Sequence, residues 1–157
     1  APEQCAAALA NFKNTGMRQK VQLCRGVTVV EDCYNANPDS MKAAMSTLGA
    51  QKLPDGAQKI AVLGDMLELG TVAESSHFET GKIAAENADV LLCFGELSKL
   101  IVSGAKENGM EKAFHFETKE ELSENLRKIA KSGDMVWLKA SRGMRFEDIA
   151  EAFYEET

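Results

Sequence analysis

The segment from residue 27 to residue 48 constrains the fold most, because it combines a strand pattern, a polar loop and a capped helix. Val27, Thr28, Val29 and Val30 form a β-branched run that ends at two acidic residues. Pro38 suits the first turn of a helix, which predicts Asn37 as its N-cap. Apolar residues follow at the spacing of a buried helical face: Met41, Ala44, Met45 and Leu48. The loop thus lies at the carboxyl end of a strand, where open α/β sheets bind ligands.

Strand and helix patterns alternate along the rest of the chain. Strands are predicted at 19–23, 27–31, 59–63, 90–94, 113–116 and 135–138. Helices are predicted at 3–13, from 38 onward, at 73–87, 97–108, from a Thr118–Glu121 capping box to about 131, and at 145–154. The pattern indicates an α/β fold: a Rossmann-like, doubly wound, mostly parallel sheet of about six strands with an antiparallel hairpin at one edge.

Composition excludes several classes of function. The 157 residues suffice for one main domain, and a net charge of −6 argues against non-specific binding to nucleic acid or to an anionic membrane. No apolar run approaches the ~20 residues of a membrane span, so a cytoplasmic protein is expected. Four scattered cysteines and two histidines indicate neither a zinc site nor a disulfide framework. Cys33 lies in an acidic loop, which disfavours a nucleophilic thiolate.

Three polar loops follow strands and are expected at one edge of the sheet: 32–40, 64–70 and 139–145. The last combines cations and a hydroxyl with the predicted start of a helix at Arg145, a setting that suits a carboxylate or phosphate. The chain has neither a G-x-x-x-x-G-K-[ST] loop nor a G-x-G-x-x-G turn after a strand. If this edge contacts a nucleotide, another domain must hold its phosphates.

Three motifs in these loops resemble a known family. They are Asp-Cys-Tyr-Asn-Ala-Asn-Pro-Asp-Ser-Met at 32–41, Val-Leu-Gly-Asp-Met-Leu-Glu-Leu-Gly at 62–70 and Lys-Ala-Ser-Arg at 139–142. In this order they are similar to the carboxyl-terminal domain of the Mur ligases, and the resemblance covers nearly the whole chain, including Gly-Met-Arg at 16–18. Ala140 departs from the Lys-Gly-Ser-Arg usual in that family.

The resemblance implies an ATP-dependent amide ligase of peptidoglycan synthesis. Such enzymes activate the carboxylate of a UDP-linked muramoyl peptide as an acyl phosphate, and an amine then attacks it. The most similar type adds D-alanyl-D-alanine to a tripeptide acceptor. Residues 16–157 would be the third domain, which binds the amine substrate, and residues 1–15 the end of the central domain, which holds ATP and Mg²⁺. Without that domain the fragment is predicted to be inactive, with no catalytic residue or metal site of its own.

The resemblance also assigns site residues. Those predicted to contact the nucleotide are Arg18, Asp32, Tyr34, Asn35 and Asn37. Those predicted to bind substrate are Asp65, Lys139, Ser141 and Arg142. Amides and a phenol can hydrogen-bond ATP without adding negative charge, and arginine pairs strongly with carboxylates. Simple capping by Asn37 and Asp65, and a structural role for His77, remain open alternatives.

Two other functions fit parts of the sequence. Other Mur-type ligases and folate polyglutamate-type ligases share the fold, so the fold alone does not select the amine substrate. A receiver-type phosphoacceptor domain also carries paired acids, a later aspartate and a lysine, an order that Glu31, Asp32, Asp65 and Lys139 imitate. Pro38 and the antiparallel hairpin argue against the receiver.

Overall fold

A six-stranded sheet forms the centre of the fold in the computed structural model, which describes residues 19–155. The strands are β1 Lys20–Cys24, β2 Val27–Asp32, β3 Lys59–Gly64, β4 Val90–Phe94, β5 Ala113–Phe116 and β6 Met135–Lys139, in the spatial order β1-β2-β6-β3-β4-β5. Only the β1–β2 pair is antiparallel; the other four pairs are parallel. The predicted fold class is confirmed. The predicted helix at 3–13 lies outside the described residues.

Within the described residues, five helices cover the two faces of this sheet. They are α1 Pro38–Gly49, α2 Ala73–Asn87, α3 Ser98–Glu107, α4 Lys119–Ile129 and α5 Glu147–Tyr154, with short 3-10 turns at Gly70–Val72 and Arg142–Met144. The apolar side chains of α1, α2 and α3 pack on one face, and those of α4 and α5 on the other. Successive residues of β3 alternate between these two cores, which is why the strand is apolar throughout.

Local sequence signals set the start of α1 as predicted. Asn37 Oδ1 accepts a hydrogen bond from the Ser40 N–H at 2.8 Å, and the Asn37 N–H donates to Ser40 Oγ at 3.0 Å. Pro38 occupies the first turn, where a missing N–H costs no hydrogen bond. This reciprocal cap fixes the direction in which the chain leaves the polar loop. The buried face of the helix is the predicted one: Met41, Ala44, Met45 and Leu48.

Helices α2 and α3 cross in direct backbone contact. A side chain at Gly81 would collide with the carbonyl oxygen of Ile101, and one at Gly104 with that of Phe78. Glycine at both positions lets the helices approach more closely than any other residue would allow. The two helices therefore form one tightly packed layer beneath the loop that follows β3.

The last helix begins later than predicted. The start predicted at about Arg145 is two residues early, because Arg145 has a φ of 51°, in the left-handed region, and α5 begins at Glu147. A 3-10 turn, Arg142–Met144, follows Ser141 instead of an α-helix. The expected arrangement, in which an α-helix amino terminus directly follows Ser141 and Arg142, is therefore corrected: Ser141 precedes a single tight turn, and Arg142 is the first residue of that turn.

Candidate functional site

The three polar loops leave adjacent strands at the same edge of the sheet. Asp32 at the end of β2 lies beside Lys139 at the end of β6, and Lys139 lies beside Leu63 near the end of β3. Neighbouring strands are about 4.8 Å apart, so side chains from the three loops share one surface. The sequence prediction of a common rim is confirmed.

A buried ion pair anchors the loop after β2. Lys139 Nζ lies 2.8 Å from Asp32 Oδ2 and also donates to the carbonyl oxygen of Asn35 at 2.9 Å. Lys139 is 2% exposed and Asp32 7%. Because an unpaired charge is costly in such a setting, each group requires the other. The structure thus places Lys139, predicted to bind substrate, with residues predicted to contact the nucleotide.

Arg142 is placed quite differently, although it follows Lys139 by only three residues. Its side chain is exposed, and its guanidinium carbon lies 5.4 Å from the centre of the Tyr34 ring, within the range of a cation–π interaction. Tyr34 was predicted to contact the nucleotide and Arg142 to bind substrate. The structure brings them together as neighbours across the β2 and β6 loops.

Ser141 joins all three loops. Its N–H donates to the carbonyl oxygen of Asp65 at 3.1 Å, and its Oγ accepts the N–H of Leu67 at 2.9 Å. The same hydroxyl lies 3.5 Å from the carbonyl oxygen of Ala36, which is long for a hydrogen bond. The hydroxyl proton can therefore be donated to a better acceptor at the surface.

His77, in α2, forms a hydrogen bond with the backbone of the loop after β3. Its Nε2 accepts the N–H of Met66 at 2.9 Å, so the ring proton lies on Nδ1, which donates to the carbonyl oxygen of Ala73 at 2.6 Å. Both ring nitrogens are used within the protein, and the side chain is completely buried. A structural role for His77 is confirmed.

Two predicted site residues cap helices. The Asp65 carboxylate accepts the N–H of Ser98 at 2.7 Å and that of Leu97 at 3.3 Å, at the start of α3. Asn37 caps α1 through Ser40. An acid is favourable at a helix amino terminus, so Asp65 has a sufficient structural role. Its predicted contact with substrate, and that of Asn37 with nucleotide, stay predictions.

Two clefts open at this edge, one on each side of Asn35. The first, which we call the α1 cleft, has a volume of about 470 Å³ and is lined by Gln19, Asp32, Asn35, Ser40, Ala43, Ala44, Thr47 and Lys139. The second, the arginine cleft, has a volume of about 420 Å³ and is lined by Tyr34, Asn35, Leu67, Glu68, Ser141, Arg142 and Gly143. Both volumes are in the range of small-molecule sites, roughly 300 to 1,000 Å³.

Cys33 faces the interior. It is 1% exposed, and its Sγ lies 3.7 Å from the carbonyl oxygen of Leu138. Burial, together with the nearby carboxylates of Glu31, Glu147 and Asp32, raises the pKa of Cys33 to about 12. A thiol of this kind is protonated at neutral pH, which agrees with the expectation that Cys33 is not a nucleophile.

Comparison with known proteins identifies the family. The family model described as Mur ligase, glutamate ligase domain, matches residues 17–142. The chain belongs to the Mur ligase family. The receiver alternative is wrong, and the strand order with its antiparallel edge differs from the parallel order typical of receiver domains.

Individual Mur ligases match nearly the whole chain. The UDP-N-acetylmuramoyl-tripeptide–D-alanyl-D-alanine ligase of Bacillus subtilis is 37% identical over 158 residues, covering 99% of this chain and 34% of its own length. The crystal structure of the MurF ligase of Thermotoga maritima in complex with ADP is 31% identical, with a TM-score of 0.76, and covers 93% of this chain and 32% of its own. MurF of Acinetobacter baumannii is 26% identical with a TM-score of 0.84, covering 98% and 34%. The chain spans about a third of the length of these Mur ligases.

Three further features of the sequence concern Arg18, metal binding and membrane spans. Arg18, predicted from the Mur ligase resemblance to contact the nucleotide, lies outside the described residues. Within residues 19–155, no group of three or more His, Cys, Asp or Glu side chains is arranged to hold a metal ion. No helix in that range has the length and apolar composition needed to cross a bilayer.

Glu68 and Leu67 line the arginine cleft, and the sequence prediction named neither of them. The Mur ligase resemblance assigned Asp65 to substrate binding and gave no role to Glu68, which lies in the same motif at 62–70. In the fold the two acids have different surroundings, because Asp65 turns toward the start of α3 and Glu68 lines the cleft. The available signal was the position of Asp65 directly after β3, where a helix cap is common.

Proposed function

We propose that the chain is the amine-binding domain of an ATP-dependent ligase that joins D-alanyl-D-alanine to UDP-N-acetylmuramoyl-tripeptide. The observation that carries this proposal is the arginine cleft, which presents a guanidinium and a hydroxyl beside apolar side chains. Relatives at 30–37% identity are named as ligases of this substrate pair, which favours D-alanyl-D-alanine over the amines used by other Mur-type or folate-type ligases.

The carboxylate of the dipeptide would bind to Arg142 and Ser141. Arg142 has a planar donor set that matches a carboxylate, and it is exposed at the cleft surface. Ser141 Oγ already accepts the Leu67 N–H, so toward a ligand it acts as a donor. The exposed side chains of Tyr34 and Leu67 would contact the methyl groups of the substrate. Arg142 and Ser141 would thus bind the charged end of the dipeptide, and Tyr34 and Leu67 would form an apolar wall beside it.

The α1 cleft is the proposed nucleotide side and is lined by Asp32 and Asn35. Arg18 and Asn37 keep their predicted nucleotide contacts, whereas Tyr34, predicted with them, lines the arginine cleft beside Arg142. Asn35 is exposed and offers an amide to adenine, ribose or phosphate. The Lys139 ammonium forms an ion pair with Asp32, so its role is to hold the Asp32 side chain in place at the cleft. The phosphates and Mg²⁺ would be held by the rest of the complete ligase, since the described residues offer no set of metal ligands.

In the proposed reaction the amine nitrogen of the dipeptide attacks the carbonyl carbon of an acyl phosphate. A C–N bond forms, the C–O bond to phosphate breaks, inorganic phosphate leaves with the electron pair of that bond, and the amine nitrogen releases a proton to solvent. The residues of this chain bind and orient the amine substrate, and the domain completes the ATP site on closure. The isolated fragment is therefore expected to have no ligase activity. A domain boundary near residue 16 and a cytoplasmic location remain part of this proposal.

Replacement of Arg142 tests the proposed function. In the complete ligase, Arg142→Ala should raise the KM for D-alanyl-D-alanine roughly ten- to a hundredfold, because a hydrogen bond to a charged group is worth about 1.5 to 3 kcal/mol. The KM for ATP should change by less than about threefold, since Arg142 lies in the arginine cleft and outside the α1 cleft.

Arg145→Ala is the matched control. Arg145 is exposed, pairs with Asp148 and does not line either cleft. Its replacement should leave both KM values unchanged within twofold. Equal increases in the two KM values for Arg142→Ala would remove the arginine cleft from dipeptide binding and contradict the proposal.

A further inference from the structure

Glu68 carries an exposed carboxylate in the arginine cleft. It is exposed, it lines the cleft with Ser141 and Arg142, and within residues 19–155 it forms no hydrogen bond or ion pair. Asp65, three residues earlier in the same loop, has both carboxylate oxygens occupied by backbone N–H groups. The loop therefore carries one acid that supports the fold and one that is available to a ligand.

The backbone holds Glu68 in a conformation that its side chain does not favour. Its φ is 63°, in the left-handed region, where glycine or asparagine is the usual residue. The two preceding residues are fixed, because the Met66 N–H donates to His77 and the Leu67 N–H donates to Ser141. A strained residue on a rigid loop is a common feature of ligand-binding sites. Folding alone gives no reason for an acid with a β-carbon here.

Glu68 and Arg142 carry opposite charges on two loops that line the same cleft. The two loops leave neighbouring strands, β3 and β6, whose spacing is about 4.8 Å. A dipeptide in an extended conformation spans at most about 7 Å. Its two termini can therefore lie against different walls of one cleft of about 420 Å³. A zwitterionic ligand, with an ammonium at one end and a carboxylate at the other, matches these walls.

We infer that Glu68 binds the free amino group of the incoming dipeptide and orients it, opposite the carboxylate held by Arg142 and Ser141. The inference rests on the proposed function and deepens it, because it assigns the second charged end of the substrate. The site then recognises a free amino terminus as well as a carboxyl terminus. A ligand without the amino group would lose the contact with Glu68 and keep the contacts with Arg142.

The test compares two ligands in the complete ligase: D-alanyl-D-alanine as substrate and propionyl-D-alanine, which lacks the amino group, as competitive inhibitor. Glu68→Gln should raise the KM for D-alanyl-D-alanine about tenfold or more, the effect of losing a charged hydrogen bond. The inhibition constant of propionyl-D-alanine should stay within twofold of the wild-type value. Glu68→Asp, which keeps the charge, should retain part of the affinity for the substrate.

Glu68→Gly separates a backbone role from ligand binding. Glycine relieves the left-handed strain, so the urea midpoint should be unchanged or higher, while the KM for D-alanyl-D-alanine should rise as much as in Glu68→Gln. Glu74→Gln is the matched control, because Glu74 is an exposed acid in the first turn of α2 and lies outside the cleft. It should have wild-type kinetics.

An unchanged KM in Glu68→Gln and Glu68→Gly would overturn the inference, and the result with Arg142→Ala would still support the proposed function. Equal increases for substrate and inhibitor would also overturn it, because Glu68 would then act on the whole cleft. A wild-type ligase that does not accept D-alanyl-D-alanine would overturn the proposed function itself.

Discussion

Lys139 and Arg142 are two cations on the same loop, and the protein uses them in opposite ways. Lys139 is almost completely buried and is held by Asp32 and the carbonyl oxygen of Asn35. Arg142 is exposed, and its guanidinium lies over the Tyr34 ring, with its donors still accessible. The difference shows that a charge at the end of a strand supports the fold when the strand register places an opposite charge beside it. A charge beyond the last paired residue remains available to a ligand.

The largest expected difference between Lys139 and Arg142 is in the free energy of unfolding when each is replaced by alanine. Lys139→Ala leaves Asp32 buried without its partner, which is expected to lower the free energy of unfolding by about 3 to 5 kcal/mol. Arg142→Ala, at an exposed position, should lower it by less than about 0.5 kcal/mol. Urea denaturation of the 157-residue chain, followed by circular dichroism, measures both.

The double variant Asp32→Ala with Lys139→Ala provides the control, because it removes both charges together. It should be less destabilised than the sum of the two single variants. Equal losses of stability in Lys139→Ala and Arg142→Ala would show that the ion pair does not distinguish the two cations.

Alkaline pH should lower the free energy of unfolding through the buried Cys33 thiol, which lies near the Asp32–Lys139 ion pair. The pKa of Cys33 is raised from 9.0 to about 12, chiefly by burial, so between these pH values the unfolded chain loses this proton and the folded chain keeps it. The unfolded state binds fewer protons there, and the free energy of unfolding falls as pH rises. The contribution of Cys33 is at most about 1.4 kcal/mol per pH unit. Burial also raises the pKa of Cys93, and burial with the hydrogen bond to Glu31 raises that of Tyr154.

Urea denaturation between pH 8 and pH 11 measures this slope. Cys33→Ala should make the slope shallower than in the wild-type chain, while Arg142→Ala should leave it unchanged. An identical slope in Cys33→Ala and the wild type would mean that the Cys33 thiol ionises in the folded state as readily as in the unfolded state.

The smallest expected effect concerns the contact of Tyr34 with Arg142. In the complete ligase, Tyr34→Leu removes the ring beneath the guanidinium and should raise the KM for D-alanyl-D-alanine about two- to fivefold, or roughly 0.5 to 1 kcal/mol. Tyr34→Phe keeps the ring and should retain the wild-type KM. If Tyr34→Phe instead raises the KM for ATP, the hydroxyl contacts the nucleotide, as the sequence resemblance implies.

Local signals in the sequence predicted most of the fold. Asn37 and Pro38 determine the start of α1 through short-range hydrogen bonding and backbone geometry, and both effects depend on neighbouring residues. Arg145 was misplaced because a left-handed conformation at a residue other than glycine is uncommon and has no reliable sequence signal. The three strand ends were recognisable because apolar runs stop there.

The grouping of site residues depended on contacts that are distant in sequence. The pairing of Asp32 with Lys139 follows from the parallel register of β2 and β6, which are separated by about a hundred residues. The contact of Tyr34 with Arg142 has the same origin. The motifs therefore identified the loops correctly, but only the three-dimensional arrangement shows which side chains share a cleft.

The bonds of Ser141 have a consequence for the thermodynamics of ligand recognition. Because one residue links the β3 and β6 loops through its N–H and its hydroxyl, the walls of the arginine cleft are ordered before any ligand arrives. Ordering a flexible loop during association would subtract from affinity. In this domain that entropy is lost once, during folding, so ligand association should proceed with little rearrangement of the backbone.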